Sequence, residues 1–166
     1  MILIGLGANL PSRYGAPEDT LRAALEALKQ KDFEVLAASS IWLSAPVPVS
    51  DQPWYRNAVI SVKTSFSFVE ILEALQSIEM DFGRVRAERN APRLLDLDLL
   101  AYNDEVYTDP ACTVPHPRMH QRAFVLKPLQ EIAPQWCHPV LGLSLPELIQ
   151  AMPEGQRIEI SQELAA

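Results

Sequence analysis

Between Leu94 and Tyr102 the chain reads Leu-Leu-Asp-Leu-Asp-Leu-Leu-Ala-Tyr, and this alternation leaves little choice of backbone. A period of two is the signature of a strand, in which residues two apart share a face. Leu95, Leu97 and Leu99 then point to one side, Asp96 and Asp98 to the other. Two carboxylates projecting together from an otherwise apolar strand need a counter-charge. Desolvated and unpaired, they would repel each other until one took up a proton. Nearby arginines in structural salt bridges supply one answer. A divalent cation supplies the other, since magnesium is usually held by a few protein oxygens while substrate phosphates complete its shell.

Cations lie just upstream. Arg84, Arg86, Arg89 and Arg93 stand within ten residues, opposed only by Glu88, while the whole 166-residue chain carries a net charge of −7. Arginine is the side chain suited to bidentate capture of phosphate, although a solvated surface loop has the same composition. Clustered arginine followed by paired aspartate is the parts list of a magnesium–polyphosphate site. The loop from Arg84 to Pro92 is expected to be exposed in the free protein and to order when a polyanion compensates its charge.

The elements around this stretch alternate. Residues 2–6 read as a buried strand, about 17–30 as a helix with Leu21, Ala24, Leu25 and Leu28 on one face, and 33–44 as a strand. The prolines of residues 45–53 make a loop, because they remove ladder donors. A strand follows over about 55–64, then a helix over 68–82 with Val69, Leu72, Leu75 and Ile78 inward and Gly83 at its end. The strand of Asp96 and Asp98 comes next, then helices over 121–132 and 144–152. The fold expected is α+β: a ferredoxin-like βαββαβ core, an antiparallel sheet flanked by helices. One domain over residues 1–166 is expected, with the polar stretch from about 153 to 166 a loose tail.

Several classes of function are disfavoured. The acidic total argues against nucleic-acid binding, and no apolar run reaches the length of a membrane span. No signal-peptide pattern or Cys-x-x-Cys pair is present, so a cytoplasmic location is expected. Asp81-Phe-Gly83 spells a kinase triplet but closes a helix, and no glycine-rich phosphate loop exists. A nucleotide-binding regulator without turnover and an RNA-binding domain remain as rivals. The intact aspartate pair weighs against the first and the charge against the second.

The ordered set Gly7-Ala-Asn9-Leu, Asp51-Gln-Pro-x-Tyr55-x-Asn57, Gln76-x-x-Glu79, Gly83-Arg84-x-Arg86, Pro92-Arg93-x-x-Asp96-Leu-Asp98, Val114-Pro-His116 and Arg122-x-Phe124 resembles hydroxymethyl-dihydropterin pyrophosphokinases. That resemblance implies transfer of the pyrophosphoryl group of ATP to the hydroxymethyl group of 6-hydroxymethyl-7,8-dihydropterin, with release of AMP, in folate biosynthesis. It further implies a monomer with two Mg²⁺ bound alongside ATP on Asp96 and Asp98. Arg84, Arg93, Asp96 and Asp98 would be catalytic. Gln76, Glu79, Arg84, Arg86, Arg93, Leu99, Thr113, His116 and Arg122 would bind ATP. Ser44, Val47, Tyr55, Asn57, Asp96 and Phe124 would bind the pterin, with Tyr55 and Phe124 sandwiching its ring. The chain departs from the pattern where a tryptophan is common in the arginine loop, at Pro117 and at Val47-Pro48.

Overall fold

The computed structural model describes residues 1–46, 48–83 and 94–164. Val47 of the expected pterin loop, and Arg84, Arg86, Arg89 and Arg93 with the expected loop closure, therefore lie outside the described residues. Strand β1 (Ile2–Ala8) leads into helix α1 (Pro17–Gln30), which starts on a proline with Glu18 and Asp19 in its first turn. Strands β2 (Glu34–Ala38), β3 (Ser40–Ser44) and β4 (Tyr55–Lys63) follow. Helix α2 (Phe68–Asp81) opens with a reciprocal cap. Glu70 N donates to Ser67 Oγ at 3.3 Å, and Ser67 N donates to Glu70 Oε2 at 2.7 Å. Strand β5 (Asp96–Tyr102), the short ribbon of β6 (Tyr107–Thr108) and β7 (Thr113–Val114), helices α3 (Ala123–Ile132) and α4 (Leu145–Ala151), and strand β8 (Ile158–Glu163) complete the order.

The main sheet runs β5-β1-β4-β3-β8, with β2 also paired to β4, and every pairing is antiparallel. Helices flank it, as expected, because its strands alternate between two apolar faces. Ile4, Leu6, Ile60, Leu97 and Leu99 pack with Leu21, Leu28, Ile71 and Ile78 of α1 and α2. Leu3, Val59 and Leu100 pack with Val125, Leu126, Leu129 and Leu148 of α3 and α4 on the opposite face.

Three details differ from the sequence reading. The strand expected over 33–44 is broken at Ser39, whose hydroxyl accepts the Val59 N–H at 2.9 Å in place of a ladder carbonyl. Val69 is exposed, because α2 presents Phe68, Ile71, Leu75 and Ile78 to the core instead. The stretch expected as a loose tail forms β8, which pairs with β3, and Leu164 just beyond it is buried. Its polar, edge-strand composition hides a long-range anchor: Arg22 Nη2 donates to Gln162 Oε1 and to the Glu163 carbonyl, each at 2.9 Å.

Candidate active site

Register builds the site. In antiparallel pairs, directly opposed residues share a face, and β1 sets Gly5 opposite Asp98 and Gly7 opposite Asp96. Gly7 also stands opposite Asn57 of β4, and Ser44 of β3 opposite Tyr55. Asp96, Asp98, Gly7, Asn57, Tyr55 and Ser44 thus occupy one sheet face, the one covered by α3. The glycines keep that face open: a Cβ on Gly7 would stand 3.0 Å from Asn57 Oδ1. The Asn57 carboxamide is held in turn, since its Nδ2 donates to Ser44 Oγ at 2.7 Å. Opposite the acidic pair, Leu95, Leu97 and Leu99 are buried as the alternation requires.

β5 is one of the edge strands, and a cleft of about 420 Å³ runs along it between α2 and the segment 109–117. Gln76, Glu79, Leu99, Thr113 and His116, all expected at ATP, line this cleft together with Asp98. Gln76 and Glu79 lie three apart on α2 and so reach it side by side. The sequence reading missed Cys112 and the turn before it, in which Asp109 and Cys112 exchange backbone hydrogen bonds at 3.3 and 3.1 Å. No residue-type signal marked that turn. Burial, then the charges of Asp98 and Asp109, push the Cys112 thiol up, so it stays protonated.

The backbone N–H of His116 donates to the Leu100 carbonyl at 2.8 Å, tying the segment to the end of β5. Its Nδ1 accepts the Arg118 N–H at 3.1 Å, which leaves Nε2 to carry the proton of the neutral ring. Burial, then the positive charges of Arg122 and Arg118, bring the His116 pKa down to about 4. Burial likewise works against the Arg122 charge, while Asp98 and Asp96 favour it. The Arg122 guanidinium carbon lies 5.3 Å from the centroid of Phe124, two residues on in α3.

Asn9, singled out only as part of a motif, has a structural task here. Buried at the end of β1, its Nδ2 donates to Gln52 Oε1 and to the Pro53 carbonyl, each at 3.3 Å. Gln52 Oε1 also accepts the Tyr55 hydroxyl at 3.4 Å.

Among the described residues no three of His, Cys, Asp and Glu are grouped to cage a metal. What the residues offer is a pair of carboxylates on one sheet face, with Asp98 lining an open cleft. That donor set fits a hard cation whose remaining ligands come from phosphate and water.

Among solved structures, the Plasmodium falciparum HPPK-DHPS aligns over 90% of this chain and 44% of its own, with a TM-score of 0.71 at 13% identity. Fold and cleft together define an α+β protein with a carboxylate pair beside an open cleft. A family model described as 7,8-dihydro-6-hydroxymethylpterin-pyrophosphokinase matches residues 3–134. The 2-amino-4-hydroxy-6-hydroxymethyldihydropteridine pyrophosphokinase of Pseudomonas aeruginosa is 39% identical over 153 residues, 92% of this chain and 91% of its own length. That of Haemophilus influenzae is 43% identical over 78% of this chain and 79% of its own. The folic acid synthesis protein fol1 of Pneumocystis carinii is 39% identical over 87% of this chain, which spans 19% of that longer protein. The chain belongs to the 7,8-dihydro-6-hydroxymethylpterin-pyrophosphokinase family. It is a diphosphotransferase that moves the pyrophosphoryl group of ATP onto hydroxymethyldihydropterin in folate biosynthesis.

Proposed function

We propose that ATP occupies the cleft along β5, that the pterin lies on the sheet face under α3, and that Asp96 and Asp98 hold magnesium between them. The supporting observation is the position of Asp98. It lines the cleft with Gln76, Glu79, Thr113 and His116, while its neighbour Asp96 shares a face with Asn57 and Gly7. Two magnesium ions bound with ATP would neutralise the triphosphate oxygens.

In this reading Tyr55 and Phe124 hold the flat pterin ring, and Asn57 and Ser44 meet its amide-like edge. The hydroxymethyl oxygen attacks the β-phosphorus of ATP. The bond from that phosphorus to the α,β-bridging oxygen breaks, and AMP leaves with this oxygen. The hydroxyl proton passes to Asp98 or to water. Neutral His116 offers its Nε2–H to a phosphate oxygen, and Arg122 offers a charge beside the carboxylates. With Arg84, Arg86 and Arg93 adding further cations, catalysis rests on positioning and electrostatics.

Residues 1–166 act in this reading as one domain and as a cytoplasmic monomer. Among the described residues no helix is long and apolar enough to cross a membrane. Asp96→Ala and Asp98→Ala should each lower pterin-dependent AMP release by roughly three orders of magnitude, since each removes a carboxylate worth several kcal/mol at the transition state. The check is AMP release with ATP, Mg²⁺ and the hydroxymethyl pterin. Near wild-type turnover of both variants at limiting Mg²⁺ would overturn the metal assignment.

A further inference from the structure

The family match ends at residue 134, yet the chain beyond it returns to the site. After a turn at Gly155, whose φ is +85°, Gln156 reaches the start of α3. Its Oε1 accepts the Ala123 N–H at 2.8 Å, and its Nε2 donates to the Gln121 carbonyl at 2.9 Å and the Pro153 carbonyl at 3.0 Å. One carboxamide therefore grips the backbone on both sides of Arg122. The Ala123 N–H it satisfies is an orphan donor of the first helical turn, and the N-cap, Arg122, makes no side-chain cap of its own.

The next two residues seize the other wall. The Arg157 carbonyl accepts the Ala45 N–H at 3.1 Å, the Arg157 guanidinium carbon lies 5.1 Å from the Trp54 ring centroid, and Ile158 pairs with Ser44. Residues 156–158 thus bridge the start of α3, which carries Arg122 and Phe124, to the ends of β3 and β4, which carry Ser44 and Tyr55.

We infer that Gln156 is a positioning residue for the pterin pocket, setting the joint from which Arg122 and Phe124 project against the Ser44–Tyr55 wall. It touches neither substrate. The inference rests on the pocket reading above, and the control arm below tests that reading separately.

Gln156→Met keeps the length of the side chain and removes all three hydrogen bonds. Gln156→Glu keeps the acceptor for Ala123 and loses both donors. With Gln156→Met the pterin KM should rise about tenfold, the scale of one or two lost hydrogen bonds. The ATP dissociation constant should change less than the pterin KM, because of the groups expected at ATP only Arg122 projects from this joint, while Gln76, Glu79, Thr113 and His116 line the cleft along β5. Gln156→Glu should raise the pterin KM as well, because its second oxygen faces the Gln121 and Pro153 carbonyls without a proton to share. Thermal melts locate an assay temperature at which every variant is folded, and Gln156→Glu alone carries the test if Gln156→Met does not fold. An unchanged pterin KM, or pterin and ATP affinities weakened equally, overturns the positioning role. Phe124→Ala is the control. If it leaves the pterin KM unchanged, the pocket reading falls and this inference with it. If it raises KM while both Gln156 variants do not, only the inference falls.

Discussion

His116 owes its place to backbone rather than to its ring. Its N–H is spent on the Leu100 carbonyl and its Nδ1 on the Arg118 N–H, so Nε2 is the nitrogen left for the cleft. A histidine held among arginines in a half-buried position is neutral at physiological pH, and its Nε2–H remains a hydrogen-bond donor. An NMR titration of the His116 ring should find a midpoint near 4 in the free protein. Adding ATP with Mg²⁺ should move that midpoint upward, because a polyanion favours the charged ring. A free-protein midpoint at the ordinary 6.5 would mean that the ring is solvated and the cation cluster open. The sequence placed His116 near Arg118 and Arg122, whose positive charges lower its titration by their sign. Burial, the larger cause, was not legible, because adjacent letters do not encode it.

Among the elements, α3 matters most to the site, since it carries Phe124 at one end and is braced at both. At its start Gln156 holds the Ala123 N–H. Near its other end, Glu131 accepts the Ser40 hydroxyl at 2.8 Å, the Ser40 N–H at 3.3 Å and the Trp42 indole N–H, which ties the helix to β3. Removing an exposed carboxylate that gathers three donors should cost about 1–2 kcal/mol after solvent competition. Glu131→Ala should therefore lower the urea midpoint without changing the slope, and Trp42 emission should shift to the red. An unchanged midpoint would show that water replaces the carboxylate at no cost. The helix itself was legible from its apolar spacing. Its brace was not, because Glu131 and Ser40 are separated by 91 residues and neither belongs to a motif.

For the whole molecule, three groups pull stability in the same direction as pH falls. Burial, with nearby positive charge, lowers both His116 and His138 below the usual 6.5, so the folded state resists protonation that the unfolded chain accepts. That penalty is absent above pH 6.5 and grows as pH drops toward about 4. For Glu18 burial acts to raise the pKa, but the Arg56 hydrogen bond and charges prevail and hold it below 4.5, so its stabilisation is lost below that pH. The free protein should lose stability progressively from pH 6.5 downward, with no compensating rise from these groups. Urea midpoints measured at half-unit intervals between pH 7 and 4 check this, and a flat profile over that range would contradict the assigned burial of both histidines. Saturating ATP with Mg²⁺ should flatten the part due to His116.

What the sequence determined by itself was the set of local patterns and the resemblance they carry. The Asp-Leu-Asp alternation set both carboxylates on one face, the three-residue step on α2 set Gln76 beside Glu79, and the ordered motifs identified the family. These are short-range regularities, governed by strand and helix periods that any window of the chain displays. Only the tertiary structure decided which strand lies at the sheet edge, and hence that a cleft runs along Asp98. It alone set Gly7 under Asn57 and turned an apparently loose tail into β8 and a clamp on α3. Register and edge position are set by how strands far apart in sequence share two cores, and a polar edge strand such as 158–163 advertises neither partner nor face. The residues proposed to perform the chemistry could be read from their neighbours; the contacts that brace their elements could not, because the partners lie dozens of residues away.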